Sequence, residues 1–354
     1  MCCSQLLQPD IPIPHLVIPG GLRAEDQRSV RVFIYRARGR IGGRAFVNAM
    51  PDSTRQIHNR DAGIRMKRRY RMNHTVTILL LFSLHARAAD LGKSLTFHAD
   101  FDGSTDARYA AGDKRIYTAP AWREQAAAKP GLDHPDLELA ADKGRFGGAL
   151  RFSRKNEKAV FYQANKNVTF DPKNWTGTIS FWLSLDPNQD LAPGFCDPIQ
   201  ITDKAYNNDA IWVDFTKDDR PRHFRLGVFG DLKSWNPKSL EGDTPDFRNR
   251  LVVNQKPPFA RGKWTHVAIT HEGLGGGKGT AHLYLDGRLQ GAAGPVAETF
   301  SWDISAAAIR LGVNYIGLFD DLAVFSRALT GDEVKKLYGL RKGVASLKLP
   351  APSR

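Results

Sequence analysis

Cysteine is scarce. The 354-residue chain holds three, two of them at positions 2 and 3. Cys196 therefore lacks a partner for an internal disulfide within the later chain and cannot build a thiolate metal cage alone. A nucleophilic role would need an electropositive site and a positioned histidine, so a packed thiol is expected. Stability must then come from a hydrophobic core, which about 250 residues can supply. Long apolar runs are missing as well. The most apolar stretch, residues 75–84, spans ten positions, about half of what a membrane-crossing helix needs. Lysine is absent from the first 65 residues, which contain ten arginines.

The net charge of +14 is unevenly spread. Residues 1–89 carry 15 Lys and Arg against 5 Asp and Glu, and the rest carries 36 against 32. Nucleic-acid binding needs a basic face on the folded domain. The near-neutral later chain offers none, so no nucleic-acid partner is expected.

Residues 1–65 have no sustained apolar periodicity and are broken by Pro and Gly. They read either as a disordered Arg-rich extension or as residues upstream of the true start. The second alternative follows from residues 66–88. Lys67, Arg68, Arg69 and Arg71 precede the apolar stretch, and Ala86-Arg87-Ala88 follows it. This is the layout of a secretory signal peptide. Met66 or Met72 is then the expected start. The mature protein begins near Ala89, lacks a membrane span, and is secreted or periplasmic.

Beyond residue 90, period-2 alternation dominates. Thr178-Ile-Ser-Phe-Trp-Leu-Ser-Leu185 puts Ile179, Phe181, Leu183 and Leu185 on one face. Asp286-Gly287 between apolar strands marks a hairpin. Further strands are expected at 95–101, 149–152, 159–161, 211–215, 224–229, 263–270, 309–313 and 319–325, with long loops at 105–136, 186–209 and 233–258. Many short strands between turn-rich loops imply an all-β, two-sheet antiparallel jelly-roll sandwich over residues 90–340. Thr330-Gly-Asp-Glu333 is a capping box for one short C-terminal helix. Residues 341–354 form a short basic tail.

Six motifs recur in a familiar order: His98-Ala-Asp-Phe-Asp-Gly103, Gly144-Arg-Phe-Gly-Gly-Ala-Leu-Arg-Phe152, Trp175-Thr-Gly-Thr-Ile-Ser-Phe-Trp182, Trp264-Thr-His-Val-Ala268, Leu283-Tyr-Leu-Asp-Gly287 and Ile316 through Thr330. Together they resemble the laminin-G-like jelly rolls of the concanavalin A-like lectin/glucanase superfamily. Gly317-Leu-Phe319 departs from that family's usual Gly-x-Ile without changing its apolar character. The fold hosts lectins, adhesion modules, enzymes and spacers.

Catalytic patterns are thin. Glycoside hydrolysis needs two carboxylates at a fixed separation. The nearest candidates, Asp136 and Glu138, lie outside the expected central sheet. His266, His271 and His282 flank expected strands and read as structural rather than as a zinc site. The glycines of residues 273–279 lack the strand–loop–helix context of a phosphate loop. No enzyme activity is expected.

The resemblance implies ligand binding by loop aromatics and polar side chains. Trp122, Trp235 and Trp302 fall in or near long loops, and Tyr206-Asn207-Asn208-Asp209 joins an aromatic to amides and an acid. These seven are the candidate contacts to an oligo- or polysaccharide or an envelope glycoprotein, although loop aromatics also anchor their own loops. The resemblance further implies a structural calcium near Asp102 and Asp320 or Asp321, with solvated or ion-paired carboxylates as the alternative. The expected role is a secreted, non-catalytic binding or adhesion module. A structural envelope domain and a polysaccharide-degrading hydrolase are the alternatives. N-terminal sequencing of the exported protein is expected to give a first residue near Ala89; a start within residues 1–65 would overturn that boundary.

Overall fold

A computed structural model describes residues 91–349, apart from 157 and 243. The expected extension at 1–65 and signal peptide at 66–88 lie outside the described residues. The strands are, in chain order, β1 (Leu95–Ala99), β2 (Tyr109–Ala110), β3 (Ile116–Ala119), β4 (Lys129–Pro130), β5 (Leu137–Ala140), β6 (Ala149–Phe152), β7 (Ala159–Gln163) and β8 (Trp175–Ser184). They continue as β9 (Cys196–Thr202), β10 (Ala210–Phe215), β11 (Phe224–Phe229), β12 (Leu251–Asn254), β13 (Thr265–Leu274), β14 (Gly279–Leu285), β15 (Arg288–Val296), β16 (Ala308–Val313) and β17 (Gly317–Phe325). Sheet one runs β15-β14-β13-β8-β17-β1-β2, with β6 and β5 branching off β17. Sheet two runs β12-β11-β10-β9-β16-β7-β3-β4. The fold is an antiparallel jelly-roll sandwich.

Alternation makes the core. Ile179 and Phe181 of β8, Val267 and Ile269 of β13, and Phe319 and Val324 of β17 share one buried cluster with Ile199, Val213 and Leu226 of sheet two. Each such side chain taken from water stabilises the fold by roughly 1.5–3 kcal/mol. The last strand lies inside its sheet: β17 pairs with β8 on one side and with β1 on the other, Leu95 opposite Phe325 and Ala99 opposite Leu322. The opening and closing motifs are therefore neighbours.

Short helices accompany the sheets, among them α1 (Leu232–Trp235), α2 (Pro245–Arg248) and α3 (Gly331–Tyr338). In α3 the expected capping box is present. Thr330 N donates to Glu333 Oε2 at 2.9 Å, and Glu333 N donates to Thr330 Oγ1 at 3.3 Å. Arg327 grips the same carboxylate and, with the cap, holds it down to about 2. Val334 and Leu337 seal the outer face of sheet one together with Leu91, Phe325, Val344 and Leu347. Both ends of the domain thus pack on that face.

Four expectations change. The helices α1 and α2 stand where a loop was expected, so α3 is not the sole helix. β9 and β12 also form inside expected loops, and β2, β3 and β4 form inside the first one. β9 escaped notice because its inward residues, Cys196, Ile199 and Ile201, are unevenly spaced around Pro198. Within the tail expected at 341–354, the described residues 341–349 pack on the domain: Val344 and Leu347 are buried, and Val344 N donates to Asp321.

Two buried histidines make stability depend on pH. His266 Nε2 lies 2.9 Å from Ser180 Oγ, and His271 Nδ1 lies 3.3 Å from the Trp175 carbonyl oxygen. Burial lowers the first to about 3 and the second to about 4. Both stay neutral in the fold while the unfolded chain protonates them near 6.5. Asp320 opposes them, because burial raises its carboxyl to about 8, with the Asp321 charge adding. Taken alone, each histidine would make stability fall by up to about 1.4 kcal/mol per unit of acidification between pH 6.5 and about 4, and the carboxyls of Asp320 and Asp197, both raised by burial, offset this. Asp320→Asn removes one of the offsets, so its melting temperature is expected to drop by several degrees more between pH 6.5 and 5 than that of the parent. Equal drops in the two proteins would refute this.

Candidate functional site

In sheet two the residues alternating with the core face outward. On β10 these are Trp212 and Asp214, and on β11 they are Arg225 and Gly227. The register sets Trp212 opposite Gly227 and Asp214 opposite Arg225. Gly227 is needed for close approach: a Cβ there would lie 2.2 Å from Trp212 Cζ2. The indole rests on that strand, stacks on Phe229 at 5.7 Å, and donates its Nε1–H to the Tyr206 carbonyl at 2.6 Å. Arg225 clasps Asp214 through two parallel bonds, Nε to Oδ1 at 2.8 Å and Nη2 to Oδ2 at 2.5 Å. The pair is nearly buried, with side chains 7% and 4% exposed. Such bidentate geometry satisfies both charges and leaves the guanidinium faces free to stack. Arg225 lies 4.9 Å from the Phe195 ring centroid and 5.6 Å from that of Trp212.

A bulge adds the third strand's contribution. Val213 pairs with Ile199 and Phe215 with Cys196, so Asp197 and Pro198 together oppose Asp214. Proline lacks an N–H and suits such a break in the ladder. The bulge turns Asp197 outward beside Gln200, whose Nε2 donates to Asp197 Oδ2 at 3.0 Å. Arg310 in turn donates to Gln200 Oε1 at 2.9 Å. Burial pushes the Asp197 carboxyl well above the usual range, and the charge of Asp214 adds to this. Asp197 thus takes up a proton more readily than an ordinary aspartate, and Asp214 beside it is clasped by Arg225.

These side chains floor a cleft of about 910 Å³. One wall is Tyr206 and Asn207. Another is the α1–α2 segment, where Trp235 packs against Phe229 and Phe247 and donates its Nε1–H to the Asn207 carbonyl at 3.0 Å. Phe195 and Leu240 stand at the rim. Phe195, Tyr206 and Leu240 are 41%, 50% and 54% exposed.

Three of the seven expected contact residues, Tyr206, Asn207 and Trp235, line this cleft. Of these, Trp235 is buried and supports the wall. The other four lie elsewhere. The side chain of Asn208 accepts from Leu232 N, which anchors α1. Asp209 is buried and bonded to Lys204 Nζ at 2.5 Å and Ser301 Oγ at 2.9 Å. Trp302 stacks on Phe170 at 4.4 Å, edges Trp175 at 4.5 Å, and donates to the Asp209 carbonyl at 2.6 Å. Its ring is a core element with no face left for a ligand. Trp122 packs on a separate cluster around Phe161 and Ala308. Sequence reasoning missed Phe195, Asp197, Gln200, Trp212, Asp214 and Arg225. A usable signal lay in the two expected strands, where Trp212, Asp214 and Arg225 interrupt apolar residues at every second position.

The carboxylates expected to hold calcium are hydrogen-bonded to the protein's own N–H groups. The side chain of Asp102 accepts from Gly148 N at 2.7 Å. That of Asp320 accepts from the N–H groups of Arg145, Phe146 and Asp321. Asp321 Oδ1 lies 2.7 Å from His98 Nε2, and its carboxylate also takes Val344 N–H. These bonds occupy part of the acceptor capacity of the three carboxylates, and among the described residues no group of three or more His, Cys, Asp or Glu could hold a metal ion. The first two carboxylates instead fasten the loop before β6 to the ends of β1 and β17. Cys196 points inward beneath Asp197. Burial raises its thiol to about 11, which leaves it unreactive at neutral pH. The carboxylates Asp136 and Glu138 flank or lie on the branch strand β5, where Glu138 meets Arg151 at 3.0 Å on the surface. Among the described residues no helix is long and apolar enough to cross a membrane.

A two-sheet jelly roll with a cleft on one outer face defines a lectin-like sandwich. Residues 162–335 match the Laminin_G_3 family, described as the concanavalin A-like lectin/glucanases superfamily. No curated protein gives a significant match. Similar solved structures include domain 4 of an extracellular arabinanase from Geobacillus stearothermophilus, in complex with arabinotriose. It is 16% identical over 69% of this chain and 97% of that one, with a TM-score of 0.44. The binding domain of botulinum neurotoxin DC, in complex with SialylT, is 11% identical over 70% of this chain and 52% of that one, with a TM-score of 0.47. The binding domain of Paraclostridial mosquitocidal protein 1 gives 13%, 71%, 52% and 0.43 for the same quantities. This chain spans about half of either toxin chain.

Gly227→Val is expected to displace the Trp212 indole. It should destabilise the domain by roughly 1–3 kcal/mol and alter near-ultraviolet circular dichroism, whereas an unchanged spectrum and melt would show that the indole does not depend on this contact.

Proposed function

We propose that the domain is a secreted, non-catalytic binding or adhesion module, and that its cleft takes a carbohydrate, free or carried on a glycoprotein. One observation carries this reading: two exposed rings, Phe195 and Tyr206, belong to a cleft that also offers Asp197, Gln200 and Asn207. A sugar presents an apolar ring face and a rim of hydroxyls, and aromatic faces beside amides and acids complement both. A volume of about 910 Å³ suits a short oligosaccharide. The superfamily is compatible with this use, and the pattern at residues 66–88 supports export.

On a glycan array, binding by the full chain is expected to fall tenfold or more in Phe195→Ala and Tyr206→Ala. Both residues are exposed enough to be removed without emptying the core. Array binding that survives both substitutions would refute the assignment of the cleft.

The Asp197 carboxyl, raised by burial and by the neighbouring Asp214 charge, supports a second reading, a polysaccharide-degrading hydrolase, since a raised carboxyl suits the general-acid role. Release of reducing sugar from plant or algal polysaccharide, abolished in Asp197→Asn, would establish it in place of simple binding.

A further inference from the structure

A second concavity lies at the edge of the sandwich, where β12 of sheet two meets β15 of sheet one. Its volume is about 620 Å³. The β14–β15 turn and α3 complete it. The turn is Asp286-Gly287, and Gly287 has a φ of 73°. A Cβ there would come within 3.3 Å of both the Lys335 Cα and the Tyr338 Cβ. Glycine therefore serves the turn and also lets the helix close over it.

Four cations line this pocket: Lys256, Lys263, Arg288 and Lys335. Asp286 is the single acid among the lining residues, and it is engaged. Its Oδ1 accepts from His266 N at 2.9 Å, and its Oδ2 lies 3.7 Å from Lys263 Nζ. Among the described residues no carboxylate pairs with Lys256, Arg288 or Lys335. Three uncompensated cations around one concavity focus a positive potential in a domain whose overall charge is nearly balanced. The remaining chemistry is that of a sugar site. Asn254 and Gln290 face each other across the two edges at 2.7 Å. Asn254 Oδ1 also accepts from Lys256 N and Gln290 Nε2 also donates to the Arg288 carbonyl, both at 2.8 Å, and each amide keeps a second N–H for a hydroxyl. Tyr338 stacks one face on Trp182 at 5.7 Å yet stays 39% exposed beside the cations.

We propose that this edge pocket binds an acidic sugar unit, a carboxylate- or sulfate-bearing pyranose, of an anionic polysaccharide. The cations take the anionic substituent, the amides take hydroxyls, and the Tyr338 ring supports the apolar face. A flat anionic membrane would need the basic residues on a protruding surface, whereas here they surround a hollow of one or two sugar rings. The site is separate from the sheet-two cleft.

The test uses the full chain in affinity electrophoresis and calorimetry with polygalacturonate, dextran sulfate and neutral dextran. At 20 mM NaCl at least one anionic polymer is expected to bind, with affinity falling at least tenfold by 300 mM. Which polymer binds assigns carboxylate or sulfate. Neutral dextran should not bind. The triple variant Lys256→Gln, Arg288→Gln, Lys335→Gln should melt like the parent and lose at least tenfold in affinity, and Arg288→Gln alone should lose part of it. Tyr206→Ala, in the other cleft, should leave this binding unchanged. Failure of both anionic polymers to bind, undiminished binding by the triple variant, or equal binding of neutral dextran would overturn the proposal. So would tighter capture by phosphatidylglycerol vesicles lost in the same variant, which would make a membrane the partner. None of these outcomes bears on the sheet-two cleft, whose test is separate.

Discussion

A strand has two faces, and in this domain the core occupies only one of them. Sheet one and sheet two bury Phe181, Phe319, Val213, Leu226 and their neighbours against each other, and a one-residue slip of any strand would turn that set into water. The register is therefore tightly held. Once it is held, every alternate residue is committed to an outer surface at a known place. Trp212, Asp214 and Arg225 owe their arrangement to the burial of Ile211, Val213, Phe215, Phe224 and Leu226 beneath them. The site is chemically polar, but its precision is inherited from oil on the other side of the sheet.

Each outer face is used differently. On sheet one, α3 and the chain ends cover Tyr284, Ala323 and Phe325 with apolar side chains. On sheet two the covering is partial. α1 and α2 bury Phe229, Trp235 and Phe247 at one end, then stop, and the uncovered strip beside them is the cleft. Its one bulge matters. Without the extra residue at Asp197–Pro198, Asp197 and Gln200, three positions apart, would fall on opposite faces of β9 rather than side by side.

How much of this was legible varied with the signal. Strands with clean alternation, such as β8 and β11, were readable nearly to the residue, and the Thr330–Glu333 box marked α3. The pairing of the opening and closing strands was implied by the family resemblance alone. The cleft was half legible. Tyr206-Asn207 declared itself by composition and Trp235 by its loop, but Trp302 and Asp209 share that composition and are structural. Sequence shows which residues can bond a sugar hydroxyl, whereas only packing shows which are already bonded to Lys204, Ser301 or a neighbouring ring. β9 was hidden because a bulge erases the period that betrays a strand. The carboxylates Asp102 and Asp320 looked like cation ligands because their N–H donors come from a loop more than 40 residues from the one and 170 from the other.

Leu91 and Leu347 meet in one apolar patch on the back of sheet one, while the cleft opens from the front of sheet two. Entry and exit of the polypeptide are thus adjacent and stand opposite the mouth. A domain so arranged can be spliced into a longer chain, strung in tandem, or hung from a tether at either end. A tether joined at Leu91 or Leu347 would start on the face opposite the cleft.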